Sequence, residues 1–193
     1  MEKEQRDELR ARLKRSMLRK VGDLGYRAVS AEGVCEELGG HPARFYELFA
    51  DKAECFAAAY ADEIELLCQE MLTYVEGEQS TAARVEAALS SLAKLAAAEP
   101  TLARALFIEV HVAGASALAK RQEIVDRLSH AIDRTCRERR PGHSPPPLTA
   151  EFVVGIIDQA VASALIRGAP GELEAAVPEL GGILSEILHL EQP

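Results

Sequence analysis

The sequence lacks the features on which membrane-spanning and sheet proteins depend. It has no tryptophan, and aromatic residues make up 5% of its 193 residues. No uncharged apolar run approaches the roughly 18 residues of a membrane-spanning helix, and charge begins at the second residue, so we expect neither a membrane span nor a signal peptide. No segment alternates apolar and polar residues as strands do, and no internal repeat is evident, which argues against sheet and solenoid architectures.

Motifs that carry catalysis or bind metals are also missing. The sequence has no glycine-rich phosphate loop, no G-x-S-x-G and no H-E-x-x-H, and its five histidines are scattered. We therefore predict that the protein is not an enzyme and requires no cofactor. Cys35, Cys55, Cys68 and Cys136 form no C-x-x-C pair and have no histidine at zinc-ligand spacing, so we expect no metal site and buried thiols in a reducing cytoplasm. A thiol sensor built on Cys35 and Cys55 is the alternative.

Charge is distributed unevenly along the chain. Hydrophobic residues make up 48% of the sequence, which suffices for a folded core, but the formal net charge is −9, which argues against a general nucleic-acid binder. Residues 1–52 hold 11 Lys and Arg against 10 Asp and Glu, whereas residues 53–193 hold 11 against 21. Only the N-terminal part can therefore approach a phosphate backbone without strong repulsion.

The most informative pattern lies in residues 30–56, where two short apolar-periodic segments are separated by Gly39 and Gly40. Ser30 can accept a hydrogen bond from a free N–H group at a helix start, and apolar residues follow it at four-residue spacing. This pattern predicts a helix over about 31–38. The two glycines permit the positive φ that a sharp turn between packed helices requires.

A further helix is predicted to begin at Pro42, whose preset φ suits the first helical position. Phe45 and Phe49 are four residues apart and are expected to pack inward. Arg44 and Tyr46 then point elsewhere and can reach a phosphate or a base edge. Two short helices of this kind predict a DNA-reading helix-turn-helix, whose second helix fits the major groove.

Residues 6–60 resemble the N-terminal domain of the TetR family of transcriptional regulators, and the rest of the chain resembles that family in architecture only. The resemblance implies that Tyr46 and Lys52 contact backbone phosphates and that the exposed side of 41–47 reads bases. The matching residues are Gly25, Tyr26, Ser30, Val34, Gly39, Phe45, Tyr46, Phe49 and Lys52. The chain departs from the family pattern at Cys35, Gly40, His41 and Leu48.

A predicted first helix precedes this segment and is basic and amphipathic, with Arg6, Arg10 and Lys14 among its cations. An ordinary solvated face is the alternative interpretation of these cations. Arg27, just before the second helix, is a better candidate for phosphate contact. The candidate DNA-binding residues are Arg27, Ser30, His41, Pro42, Arg44, Tyr46 and Lys52.

After residue 52 the pattern is helical almost to the end, with breaks expected at 77–80, 99–100, around Lys120, 141–147 and 168–171. The fold predicted is therefore all-α, with a three-helix helix-turn-helix DNA-binding domain in residues 1–52. Six helices are predicted in residues 53–193, and the resemblance implies that they form a ligand-binding and dimerisation domain. The predicted helices of this second domain are 53–76, 81–98, 101–118, 122–139, 149–167 and 172–190.

The last two predicted helices carry wide apolar faces that favour a homodimer, mainly because of the resemblance. The same faces could instead pack inside one chain, and periodicity alone does not separate the two arrangements. The candidate dimer-interface residues are Phe152, Ile156, Ala160, Ala164, Leu180, Leu184 and Ile187.

An effector pocket is expected among apolar and amphipathic residues of the middle helices, and Glu109 or Asp158 could supply a charge inside it. Ordinary core packing is the alternative, also for His111. The candidate pocket residues are Met71, Tyr74, Phe107, His111 and Phe152.

The resemblance implies a ligand-responsive transcriptional regulator of the cytoplasm. It would be a repressor that binds a palindromic DNA operator as a homodimer and is released by a small-molecule effector. An activator would use the same helix-turn-helix to read DNA, so the sequence does not separate the two. The alternative is a helical ligand-binding or scaffold protein that has lost specific DNA binding.

Overall fold

The computed structural model describes residues 3–76, 81–139 and 149–187, and every regular element in these ranges is helical. The predicted all-α fold is thereby confirmed. Two 3-10 turns, Tyr26–Ala28 and Glu109–Val112, interrupt the order of the α-helices. The helices are α1 (Lys3–Leu24), α2 (Ala31–Glu37), α3 (Ala43–Tyr46), α4 (Lys52–Glu76), α5 (Thr81–Ala98), α6 (Pro100–Phe107), α7 (Ala115–Arg139), α8 (Thr149–Ile166) and α9 (Gly171–Ile187).

The chain divides into two compact units, and each unit is built from two separate segments of the sequence. The first unit contains Met1–Glu65 and Thr101–Arg121, and the second contains Leu66–Pro100 and Gln122–Pro193. The segment that contains α6 and the second 3-10 turn thus belongs to the same unit as the helix-turn-helix. The functional division predicted at residue 52 concerns DNA reading and effector binding, and it stays a prediction.

The first unit has an aromatic core beneath its three N-terminal helices. Phe45 and Phe49 are both buried, and their ring centres lie 5.6 Å apart. The Tyr26 ring meets Phe56 edge-on at 5.5 Å, which joins the turn after α1 to α4. Burial of each large apolar side chain contributes roughly 1.5–3 kcal/mol. The inward packing predicted for Phe45 and Phe49 is confirmed, and it holds the short α3 in place.

Local signals fix both ends of α2. The Ser30 hydroxyl oxygen accepts a hydrogen bond from the Gly33 N–H at 3.0 Å, so the predicted helix cap is confirmed. At the other end Gly39 has φ +68°, and its N–H donates to the Glu36 carbonyl at 2.9 Å. A residue with a Cβ rarely adopts this φ, which explains the need for glycine in the turn.

The helix boundaries predicted near residue 120 are wrong. The structure ends α6 at Phe107 and begins α7 at Ala115, and α7 then continues through Lys120. The break lies at Gly114, whose φ of +96° suits glycine and interrupts a regular helix. Lys120 and its neighbour Arg121 are good helix formers, so nothing in their local chemistry ends α7.

The second unit is a helical layer in which α9 packs against α5 and α8. A Cβ added to Gly181 would lie 2.7 Å from Glu86 Cγ, so α9 and α5 approach closely at that point. Leu173, Val177 and Leu184 are buried along one side of α9. None of the helices within the described ranges is long and apolar enough to cross a membrane.

Candidate nucleic-acid interface

The segment before and within α3 presents its polar side chains outward. His41 and Arg44 are exposed, Pro42 is half-buried, and Tyr46 is 51% exposed. Because the buried Phe45 lies between Arg44 and Tyr46, the ring anchors the backbone from which both side chains extend. The arrangement leaves both side chains accessible to a bound duplex, although their contact with DNA stays a prediction.

Tyr46 is held by a carboxylate of α2. Its hydroxyl donates to Glu32 Oε1 at 2.8 Å. The pKa of Glu32 is lowered, first by a hydrogen bond from its own backbone N–H and then by the Tyr46 hydroxyl. The same contact raises the pKa of Tyr46. To contact a phosphate, Tyr46 would therefore have to exchange one negatively charged acceptor for another.

His41 precedes Pro42, the N-cap of α3, and makes two hydrogen bonds at the start of that helix. Its Nδ1 accepts a hydrogen bond from the Ala43 N–H at 3.3 Å, and its carbonyl accepts one from the Cys35 thiol at 3.2 Å. The imidazole thus satisfies an N–H group that has no partner inside the helix. His41 therefore supports the start of α3 with both its side chain and its backbone, and the Cys35 thiol is hydrogen-bonded to that backbone.

Lys52 is hydrogen-bonded to the turn that leads into α2. Its Nζ donates to the carbonyl oxygens of Tyr26 at 2.9 Å and Val29 at 2.7 Å, and lies 4.3 Å from the centre of the Tyr26 ring. An ammonium has three donors, and the turn carbonyls use two of them. The phosphate contact that the resemblance implies for Lys52 stays a prediction, and the structure adds a second role in fixing this turn.

Two arginines of α1 bind the backbone just after α3, a role that no pattern in the sequence indicated. Arg10 Nη1 donates to the Leu48 carbonyl at 2.7 Å, and its guanidinium lies 4.2 Å from the centre of the Phe49 ring. Arg6 Nη2 donates to the Glu47 carbonyl at 3.5 Å. These carbonyls follow the last turn of α3, where cations are favourable.

Other cations of α1 are engaged in ion pairs within the first unit. Lys14 pairs with Asp62 of α4, and both Arg19 and Lys20 pair with Glu37 at the end of α2. The side chains of Arg27 and Ser30 are exposed beside this region. The basic face of α1 therefore forms ion pairs with both α2 and α4.

A buried carboxylate from a distant segment reaches the same turn as Lys52. Glu109 is 7% exposed, and its Oε2 accepts from the Tyr26 N–H at 2.8 Å. Its Oε1 accepts from Arg104 Nη2 at 3.1 Å. Glu109 was predicted as a possible charge inside a cavity, and no local signal in the sequence pointed to its contact with the backbone of Tyr26.

The candidate pocket residues are divided between the two units. Phe107 is buried and His111 is exposed in the first unit, whereas Met71 is half-buried and Phe152 is 67% exposed in the second. The pKa of His111 is lowered by partial burial and by the nearby Arg121. The side chain of Tyr74 lies outside the described residues. The pocket stays a prediction.

The candidate dimer residues occupy different environments in the second unit. Phe152, Ile156 and Ala160 line an open depression along α8, together with Gly155 and Gln159. Of the others, two are buried inside the unit and two are half-buried, so part of the predicted set already packs within one chain. The buried pair is Ala164 and Leu184, and the half-buried pair is Leu180 and Ile187.

Within the described ranges, no group of three or more His, Cys, Asp and Glu side chains is placed to hold a metal ion. The structure describes the side chains of three of the four cysteines, and none of the three is part of a disulfide there. Cys35 and Cys55 are buried, and Cys68 is half-buried. Burial raises the pKa of Cys55 to about 12.

No protein-family model and no curated protein sequence matches the chain, but solved structures match it in fold. The fatty acid degradation regulator FadR from Bacillus halodurans has a TM-score of 0.77 at 12% identity, covering 91% of this chain and 93% of its own. FadR from Bacillus subtilis, solved in complex with stearoyl-CoA, has a TM-score of 0.76 at 14% identity, covering 90% and 96%. A TetR family transcription regulator from Marinobacter aquaeolei VT8 has a TM-score of 0.71 at 18% identity, covering 95% and 97%.

These alignments extend over nearly the whole of each chain, so they include both the helix-turn-helix and the helices after it. The resemblance seen in residues 6–60 is thereby confirmed at the level of the fold. The chain has the fold of the TetR-family transcription regulators.

Proposed function

We propose that the protein is a ligand-responsive transcriptional repressor that binds a palindromic operator as a homodimer. Residues 1–52 read DNA in this proposal, and residues 53–193 bind the effector and dimerise. The observation that carries the proposal is the outward face of α3, where Arg44 and Tyr46 flank a buried phenylalanine in a chain with this fold. The same segment lies in the only part of the sequence without a large excess of acid.

We expect a dimer because the reading head, the two short helices α2 and α3, is small. The α3 helix has four residues, so one head buries too little surface for tight specific binding. Two heads can read half-sites about one helical turn apart, roughly 34–36 Å. Affinity then depends on the distance between the heads, and an effector that changes this distance releases the DNA.

The effector is proposed to be a small molecule, and the neighbours suggest a first class to test. FadR from Bacillus subtilis was solved with stearoyl-CoA. We therefore take long-chain acyl-CoA as the first candidate effector. A dose-dependent loss of DNA binding on addition of stearoyl-CoA, and not of free coenzyme A, would support this class. Unchanged DNA affinity at saturating concentration would exclude it.

The proposal is tested by fluorescence anisotropy with the duplex that lies upstream of the protein's own coding sequence. A scrambled duplex is the control, and salt concentration is varied. Tight, salt-sensitive binding to the first duplex alone supports a specific regulator. Arg44→Ala is expected to change the preferred sequence, whereas Arg167→Ala, an exposed arginine of the second unit, is the matched control.

Equal weak binding to both duplexes calls for selection from a random duplex library with the same protein. Enrichment of a palindromic sequence would restore the proposal with a different operator. Failure of any sequence to be enriched would contradict it and favour the ligand-binding or scaffold alternative. Promoter assays in cells, with and without the gene, distinguish repression from activation.

A further inference from the structure

The beginning of α6 is docked on the end of α1 within the first unit. A Cβ added to Gly22 would lie 2.7 Å from Cγ2 and 2.8 Å from the carbonyl carbon of Thr101, so the two backbones pack against each other there. The Thr101 hydroxyl also donates to Asp23 Oδ1 at 3.0 Å. This hydrogen bond joins residues that are 78 positions apart in the sequence. The start of α6 therefore packs against α1, the helix that precedes α2 and α3.

Glu109 extends this attachment to the turn between α1 and α2. Its carboxylate accepts from the Tyr26 N–H and from Arg104, at 2.8 and 3.1 Å. A buried carboxylate is tolerated only when its oxygens have such donors. Hydrogen bonds of this charge-assisted type are stronger than neutral ones. Glu109 therefore fixes the peptide group at the start of the turn.

Lys52 fixes the other side of the same turn. It donates to the carbonyl oxygens of Tyr26 and Val29, so Tyr26 is bound at its N–H by Glu109 and at its carbonyl by Lys52. The residue after Val29 is Ser30, the N-cap of α2. Because the turn continues directly into α2, we expect a displacement of the turn to shift the start of α2. The short turn at Gly39 then connects α2 to α3, so we expect α3 to shift as well.

We propose that Glu109 is a positioning residue for DNA binding: by holding the Tyr26 peptide it sets the orientation of α2 and α3 without touching DNA. The proposal rests on the function proposed above. It adds that residues 101–112, as well as α4, position the two DNA-reading helices α2 and α3. Release of this one contact lowers DNA affinity in a protein that remains folded.

The test compares Glu109→Ala with Glu109→Gln in the full chain. Alanine removes the acceptor for the Tyr26 N–H, whereas glutamine retains a side-chain oxygen at the same place. We expect alanine to lower affinity for the selected duplex about tenfold for each copy of the helix-turn-helix, and about 100-fold for a dimer, because the acceptor of the Tyr26 N–H is lost in each copy. Glutamine is expected to stay within about threefold of the original protein, as a rescue by the conservative variant.

A second measurement reports on the contact itself. Amide hydrogen exchange of Tyr26 should be slow in the original protein and in Glu109→Gln, and fast in Glu109→Ala, while amides of α1 and α4 keep their protection. Affinities are measured at a temperature where circular dichroism shows each variant folded. Glu174→Ala, which removes an exposed carboxylate of α9, controls for the change in charge.

The outcomes separate this proposal from the proposed function. If the original protein selects no duplex, the function fails and the exchange data alone decide whether Glu109 holds the turn. If the original protein binds and Glu109→Ala binds equally well, the positioning role is wrong. Equal losses in both Glu109 variants, or losses that follow only the unfolded fraction, would also overturn it. A loss confined to alanine, with Tyr26 deprotected, supports it.

Discussion

Replacement of Gly22 by alanine tests the packing of α1 against α6. In an ordinary helix interior this change stabilises by about 1 kcal/mol, because glycine has the greater backbone freedom in the unfolded chain. Here the added Cβ would meet Thr101 Cγ2 at 2.7 Å and its carbonyl carbon at 2.8 Å, and the carbonyl oxygen more closely still. Rotation of the Thr101 side chain cannot relieve contacts with its backbone.

The expected magnitude follows from these opposing effects. A Cβ atom rarely lies within 3.0 Å of another heavy atom, and the Thr101 carbonyl oxygen would be well inside that limit, so α6 must move by about an ångström or more to admit the methyl group. Overpacking of this kind costs about 3 kcal/mol, which leaves a net destabilisation of about 2 kcal/mol after the helical gain. With an m-value of about 2 kcal/mol/M, the urea midpoint should fall by about 1 M.

Gly182→Ala provides the matched control. Gly182 is an exposed residue inside α9, and a Cβ there would have no atom within 4 Å. Its replacement should therefore raise the urea midpoint or leave it unchanged. Both variants are followed by circular dichroism at one protein concentration. A Gly22→Ala protein as stable as Gly182→Ala would refute the close packing of α1 on α6.

Three further predictions concern charge, acidity and assembly. Glu32→Gln should raise affinity for duplex DNA by about two- to fivefold in low-salt anisotropy titrations, since it removes a negative charge beside Tyr46; unchanged affinity would contradict this. Burial raises the pKa of Cys55 from 9.0 to about 12, so the folded protein is stabilised below pH 9 and loses this contribution as pH rises towards 12. The fall in urea midpoint over that window should be shallower in Cys55→Ala, and equal slopes would disprove the assignment. Phe152→Glu should convert a dimer to a monomer in sedimentation velocity, because the exposed ring lies on the proposed dimer face; a dimer that persists would place the interface elsewhere.

The helix-turn-helix was predictable because its determinants are local. Ser30 caps α2 through a bond that spans three residues, and Gly39 adopts the positive φ expected of it. The spacing of Phe45 and Phe49 placed both rings in the core. Each of these signals lies within one helical turn of the structure that it determines, so periodicity and turn chemistry suffice to identify it.

The contacts that hold the reading head were not predictable from the same signals. Glu109 reaches Tyr26 across 83 positions, and Arg10 reaches the Leu48 carbonyl across 38. Neither partner is a side chain with a recognisable pattern, since both are backbone groups that any residue could supply. The break at Gly114 was missed for a related reason, because an isolated glycine inside a helical pattern is often tolerated.

The engagement of the α1 cations has a consequence for how DNA would be bound. Arg10, Lys14 and Arg19 have partners within the first unit, so they serve less readily as phosphate contacts than their number suggests. If each head neutralises about two phosphates, the slope of log affinity against log salt for a dimer is about −4, shallower than for a strongly basic binder. Affinity would then depend chiefly on joining two heads. Phe152→Glu should accordingly reduce specific binding far more than alanine replacement of Lys14 or Arg19. The opposite ranking would mean that phosphate contacts by α1, and not dimerisation, dominate binding.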